Sequence, residues 1–301
     1  MPPTALPRVS ICLLTYKRAH ALPATLDSLL AQTHKDFELI INDDRSPDDT
    51  EKICRDYERR DSRVRYFKNA ANLRYAGNQN AALARATCDY VAIVHDGDIY
   101  SPRLIESWTS ALVNNPTAAL VFNAINALND KGEIAETYTH NYAPLIDGRE
   151  LCRDMLSRLH SPIYGIVMVR KACVESVGPF DLSLPYLADV DMWLRLLMKY
   201  DAAYVSEPLF NAAPREKDHA NLGANWRIHD ELERIHAVNY RRALDIPTIK
   251  TQGLARTILQ IFWKQRIFLL MWCVRHAEFA KLWEGLKFIL SKSVLDEKVP
   301  A

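Results

Sequence analysis

Two carboxylates separated by a single glycine, Asp96-Gly97-Asp98, stand directly after the run Tyr90-Val91-Ala92-Ile93-Val94-His95. Carboxylate oxygens are hard ligands suited to Mg²⁺ or Mn²⁺. A divalent ion held by only one or two of them keeps coordination positions open for phosphate oxygens. Gly97 lets the backbone bend without a Cβ clash, so both side chains can converge on one ligand. The plainer alternative is a polar turn closing a strand, because Asp-Gly is common turn chemistry. Three further groups weigh against it. Tyr16 follows the apolar run Val9 to Leu14, Asp43 and Asp44 follow Phe37 to Ile41, and Arg74 comes shortly after Val64 to Phe67.

Elements that could bring these groups together are readable from periodicity. The runs Val9 to Leu14, Phe37 to Ile41, Val64 to Phe67 and Tyr90 to Val94 read as buried strands. Helical spacing between them predicts helices over Ala21 to Gln32, from Pro47 to about Arg60, and from about Tyr75 to Arg85. Pro47 is expected just inside the start of its helix. Strands alternating with helices imply a parallel sheet covered on both faces. In such sheets a ligand lies outside the carboxyl ends of the strands, and all four polar groups fall there. The expected class is therefore α/β, Rossmann-like, with a mostly parallel central sheet, helices on both faces and a C-terminal helical extension.

Composition narrows the function. The chain has 301 residues, 49% of them hydrophobic, and a formal net charge of +1. It is long enough for a large core, and its charge balance gives no reason to expect a nucleic-acid partner. Only nine glycines are present, and neither G-x-G-x-x-G nor G-x-x-x-x-G-K-[ST] occurs. A phosphate cradle made of backbone amides is thus not expected; a bound diphosphate would be met by a metal at Asp96 and Asp98 and by Arg74. Six scattered cysteines without a Cys-x-x-Cys pair read as reduced, buried thiols of a cytosolic protein. No apolar stretch near Met1 suggests a secretory signal.

Taken in order, Val9-Ser10-Ile11-Cys12-Leu13-Leu14-Thr15-Tyr16-Lys17-Arg18, Asp43-Asp44-Arg45-Ser46-Pro47-Asp48-Asp49-Thr50 and Asp96-Gly97-Asp98 resemble the successive signatures of family 2 glycosyltransferases with the GT-A fold. The resemblance continues through Val167-Met168-Val169-Arg170-Lys171 and Val177-Gly178-Pro179-Phe180-Asp181 to Ala188-Asp189-Val190-Asp191-Met192-Trp193-Leu194-Arg195, covering about residues 8 to 225. It implies an inverting, metal-dependent transfer from a nucleotide-diphosphate sugar, a UDP-sugar first, to a hydroxyl of a glycan or lipid-linked acceptor. Thr15 and Tyr16 would lie at the nucleobase, Asp44 with Asp43 would accept from it, and Arg74 would sit near the base or diphosphate. Asp96 would contact the ribose or share the Mn²⁺ or Mg²⁺ with Asp98, its principal ligand. The family's usual glycine after the Asp-Asp pair is replaced here by Arg45.

The same resemblance makes Asp189 the general base. An inverting transfer needs one carboxylate to take the acceptor's proton, and the family's usual preceding Glu is Ala188 here. Asp189 could also be a helix N-cap. Asp191, four residues before Arg195, suits a helix-surface ion pair. His219 falls where relatives place a histidine on the metal or diphosphate; a solvated loop histidine is the alternative. His95 could ligate, but strand alternation turns it opposite Asp96. His229 and His236 read as surface positions on a polar helix. The segment Ser161 to Val169, with Gly165, resembles the part that shapes the sugar and acceptor pocket.

The catalytic domain is expected to span residues 1–250. The tail, 251–301, mixes basic residues with Trp263, Phe268, Trp272 and Trp283, a composition suited to a membrane surface at the inner face, or to docking on the catalytic domain or a dimer mate. Two other classes fit the acidic rim: a nucleotidyltransferase, which would carry a Gly-rich basic segment after the first strand, and a non-catalytic nucleotide-sugar-binding module.

Overall fold

The computed structural model describes residues 6–214 and 226–275. Strands and helices alternate first: β1 (Val9–Thr15), α1 (Leu22–Leu30), β2 (Phe37–Asp43), α2 (Thr50–Arg60), β3 (Val64–Lys68), α3 (Arg74–Arg85) and β4 (Tyr90–His95). There follow β5 (Ile99–Tyr100), α4 (Leu104–Asn114), β6 (Ala118–Leu128), β7 (Ile134–Tyr138), β8 (Leu145–Ile146), α5 (Gly148–Arg158), β9 (Val167–Arg170), α6 (Lys171–Val177), α7 (Ala188–Leu197) and β10 (Asp201–Ala212). The last described elements are α8 (Trp226–Leu244) and α9 (Leu254–Arg275).

One mixed sheet runs β3-β2-β1-β4-β9-β6-β10-β5, with β7 added beside β6 and β8 beside β10. The quartet β3-β2-β1-β4 is parallel throughout. β9 then enters antiparallel between β4 and β6, and β6 and β10 are again parallel. Every residue of β1 and β2 is buried, as two covered faces require. Ile11 and Leu13 share a core with Leu22, Leu26 and Leu29 of α1 and with Leu104, Trp108 and Leu112 of α4. Cys12, between them, points the other way, and its thiol donates to Ala82 O of α3. Alternation along one strand thus places α1 and α4 on one face and α3 on the other.

Several local expectations are corrected. The helix after β2 begins at Thr50, not at Pro47; Asp48 organises its entry by accepting from the Thr50 amide and hydroxyl. The 12-residue β10 is not anticipated by any periodic run in the sequence. Asp191 and Arg195 do pair at i,i+4, but inside the protein and not on its surface. Arg195 also donates to Val177 O, Gly178 O and Pro179 O, closing the end of α6.

Residues 1–148 with 163–214 form one compact unit, and residues 149–162 with the chain after 214 form a second. In the second, α9 buries Leu254, Ile258 and Phe262 and exposes Trp263, Ile267, Phe268 and Met271. Arg266 and Glu233 form a buried ion pair that joins α9 to α8. His236 is buried too, correcting its surface assignment, and burial depresses its pKa to about 4. Among the described residues, no helix is long and apolar enough to cross a membrane.

Candidate functional site

The strand order reverses between β1 and β4, and open sheets of this kind take ligands beyond the carboxyl ends of the strands at such a switch point. There the backbone bonds of the sheet continue into the loops. Asp44 N donates to Thr15 O at 3.0 Å, and Asp96 N donates to Leu14 O at 3.2 Å. Tyr16 N donates to Asp96 Oδ2 at 3.1 Å. Three strand exits are thereby sewn into one rim. Thr15 Oγ1 is buried in it with no hydrogen-bond partner among the described residues, an orphan that a bound polar ligand would relieve. The Tyr16 ring is 41% exposed and has Lys17 Nζ 5.1 Å from its centroid, so a flat ring can stack on it.

The paired acids divide their work. Asp43 is fully buried with both oxygens engaged: Tyr66 OH donates to Oδ2 at 2.6 Å and Ser46 N to Oδ1 at 2.8 Å. Burial, reinforced by Asp43, pushes the Tyr66 phenol far above its ordinary pKa, so it remains a donor. Asp44 receives Leu73 N at 2.7 Å and Asn69 Nδ2 at 3.1 Å, both on Oδ1, and no described group donates to Oδ2. Arg45 adopts the glycine-like conformation its position demands, with φ 63°. Such a backbone costs a residue with a Cβ roughly 1 kcal/mol or more. Arg45 Nη1 donates to Ala70 O at 2.5 Å and pins the loop. Arg74, exposed at the first residue of α3, has φ 60°.

Asp96 and Asp98 flank Gly97, whose φ of +89° is open to glycine at no steric cost. Thr25 of α1 fixes this turn: Gly97 N donates to Thr25 Oγ1 at 3.1 Å, and that hydroxyl donates to Asp98 O at 2.9 Å. Asp98 Oδ1 accepts from Ala213 N at 2.9 Å. Both carboxylates are only partly buried. Among the described residues, no three His, Cys, Asp or Glu side chains cluster as a ligand set. Two carboxylates on a glycine turn nevertheless fit a hard divalent ion that takes its remaining oxygens from a diphosphate and water. Arg18, not singled out from sequence, brings Nη1 to 3.8 Å from the point a Gly97 Cβ would occupy. His219 lies outside the described residues.

Asp189 sits in the first turn of α7, and the N-cap position belongs to Leu187. Its Oδ1 accepts from the neighbouring Val190 N at 2.9 Å. Gly165 shows what surrounds it. A Cβ there would stand 2.4 Å from Tyr75 OH, 2.7 Å from His95 Cε1 and 3.3 Å from Asp189 Oδ2. The missing side chain lets α3, the end of β4 and α7 close on one small volume. His95 therefore faces the Asp189 side, with its ring edge-on to Tyr75 at 5.7 Å. Tyr75 gives no signal in the sequence beyond its place at a helix start.

The family model described as Glycosyl transferase family 2 matches residues 10–177, more than half of the chain. EpsE of Bacillus subtilis is 35% identical over 198 residues, covering 63% of this chain and 66% of that protein. An uncharacterized glycosyltransferase from Methanocaldococcus jannaschii is 25% identical over 193 residues, 64% of this chain and 65% of its own length. The chain thus spans about two thirds of these curated relatives. Staphylococcus aureus TarS, crystallised with UDP-GlcNAc, superposes with a TM-score of 0.71 at 17% identity, covering 94% of this chain and 80% of that one. A mannosyltransferase from Pyrobaculum calidifontis, in complex with GDP-Man and Mn²⁺, gives a TM-score of 0.59 at 17% identity, with 97% and 83% covered.

Proposed function

The chain belongs to glycosyl transferase family 2, and from that membership we propose that it moves a sugar, with inversion, from a nucleotide-diphosphate donor to a hydroxyl of a glycan or lipid-linked acceptor. A UDP-sugar is the first candidate donor, in keeping with the UDP-GlcNAc bound by TarS, and a GDP-sugar the second. The observation that carries this reading is the rim itself: the exits of β1, β2 and β4 are hydrogen-bonded to one another around Tyr16, Asp44 and Asp96.

In this reading Tyr16 stacks on the base, Asp44 Oδ2 accepts from it, and Arg74 supplies positive charge beside the diphosphate. Thr15 Oγ1 gains the partner it lacks. A Mg²⁺ or Mn²⁺ at Asp96 and Asp98 would offset the charge that builds on the departing diphosphate. Asp189, which meets Tyr75 and His95 over Gly165, takes the proton of the attacking hydroxyl.

The test is a donor panel. Full-length protein with Mn²⁺ is offered UDP- and GDP-sugars, and released nucleotide is measured with and without candidate acceptors. One donor should be consumed well above the rest, faster with acceptor. Consumption of nucleotide triphosphate and sugar phosphate instead would assign the rim to a nucleotidyltransferase.

A further inference from the structure

Basic residues leave the rim on an uncommon backbone. Among the described residues, four other than glycine have positive φ, and three of them stand after successive strands: Lys17 at 59°, Arg45 at 63° and Arg74 at 60°. A side chain keeps such a conformation only where its surroundings over-determine it, and such sites concentrate where ligands bind.

The bonds around Arg45 show what does the determining. Arg45 Nη1 donates to Ala70 O. The loop that holds Ala70 is tied from its other side to the paired acids: Asn69 N donates to Asp43 O at 2.8 Å, and Asn69 Nδ2 and Leu73 N both donate to Asp44 Oδ1. Arg85 Nη1 holds Asn69 Oδ1 at 3.1 Å. At the far end of the loop, Asn72 Oδ1 accepts from Arg74 N at 3.0 Å, in the residue that opens α3. A continuous set of contacts therefore runs from Arg45 through residues 69–73 to Arg74.

We propose that Arg45 is a positioning residue for donor binding: by clamping Ala70 it fixes residues 69–73 as a strap that sets the direction of Arg74 toward the diphosphate. This rests on the glycosyltransferase reading and adds a residue to it. Arg45 Nη1 is engaged by a backbone carbonyl, and in this proposal it acts through that contact on Arg74 and not on the ligand.

A double-mutant cycle separates the two possibilities. The nucleoside diphosphate that the wild type binds with Mn²⁺ is titrated calorimetrically into wild type, Arg45→Ala, Arg74→Ala and the double variant, with thermal unfolding recorded for each. Arg45→Ala should weaken binding about tenfold, the worth of one charge-assisted hydrogen bond. In the Arg74→Ala background the same change should do almost nothing. Arg45→Lys, which can still reach a carbonyl, should recover part of the loss, and kcat at saturating donor should hold within about twofold. Additive losses, unchanged affinity in Arg45→Ala, or a loss as large without Arg74 as with it would each overturn the proposal. If Arg45→Ala does not fold, Arg45→Lys and Arg45→Gly enter the same cycle. A wild type that binds no nucleoside diphosphate would remove the donor reading and the role of Arg45 with it; additive losses in a wild type that binds would remove the role of Arg45 alone.

Discussion

Strand β2 carries a buried acid near each end, and the two ends are built for different purposes. At the start, Glu38 is almost fully enclosed and receives Ser10 Oγ, the amide and hydroxyl of Thr87, and Arg65 Nη1. Burial alone would raise its pKa, but these donors overcome that and hold it at about 2. At the carboxyl end, Asp43 is equally satisfied, yet Asp44 has one oxygen to which none of the described residues donates, and exposed cations sit on positive-φ backbone around it. The lower end is arranged for stability. The rim holds open valences and strain, as a site awaiting a charged ligand does. Acids at the two ends of one strand should therefore fail in different ways.

Changes at the rim should alter turnover or binding and leave folding almost intact. Asp189→Asn is expected to lower kcat about 10³-fold, the worth of a general base, with nucleotide affinity within about twofold of wild type. Steady-state kinetics beside calorimetry reads both numbers, and intact turnover would remove Asp189 from its role. Asp98→Asn should cost about 10²-fold in kcat/KM and abolish the Mn²⁺ dependence of nucleotide binding. Equal Mn²⁺ dependence in the variant would move the metal elsewhere.

Changes at the lower end should do the reverse. Glu38→Gln is expected to cost about 2–3 kcal/mol of stability, since it removes the charge from a carboxylate with several donors, while nucleotide affinity stays at the wild-type value. The same group sets an acid limb. Its pKa is about 2 when folded against an ordinary value of 4.5 when unfolded, so the unfolded chain takes up the proton first. The contribution is full above pH 4.5 and is lost as pH falls toward 2, about 3 kcal/mol in all. His236, lowered by burial from 6.5 to about 4, destabilises the fold in the same direction between those two values. Chemical denaturation at stepped pH should show stability falling from 6.5 to 4 through His236 and from 4.5 to 2 through Glu38, steepest where the two overlap, with the lower step missing in Glu38→Gln.

The rim is legible in the sequence because parallel strands buried on both faces leave uninterrupted apolar runs, and each run from Val9, Phe37 and Tyr90 ends in polar residues. The second half is not. β10 contains Ser206, Glu207 and Pro208, and its pairing with β6 shifts register on both sides of Pro208, so its pattern keeps no single period. β9 is four residues long and is placed by partners far away in sequence. Asp191 and His236 depart from expectation for a shared reason: helical spacing tells which residues lie on one face but not what else covers it. Gly165 and Tyr75 gain meaning only once α3 and α7 are seen to meet over Asp189. The left-handed turn at Arg45 is a backbone property that arginine does not advertise.

The most direct test is a calorimetric titration of UDP, then GDP, with Mn²⁺ into wild-type protein, Asp44→Ala and Glu38→Gln. One nucleotide should bind the wild type at one site per chain, Asp44→Ala should lose about tenfold or more in affinity, and Glu38→Gln should match the wild type. Binding that ignores Asp44, or that falls equally in both variants, would contradict the assignment of this rim to the nucleotide.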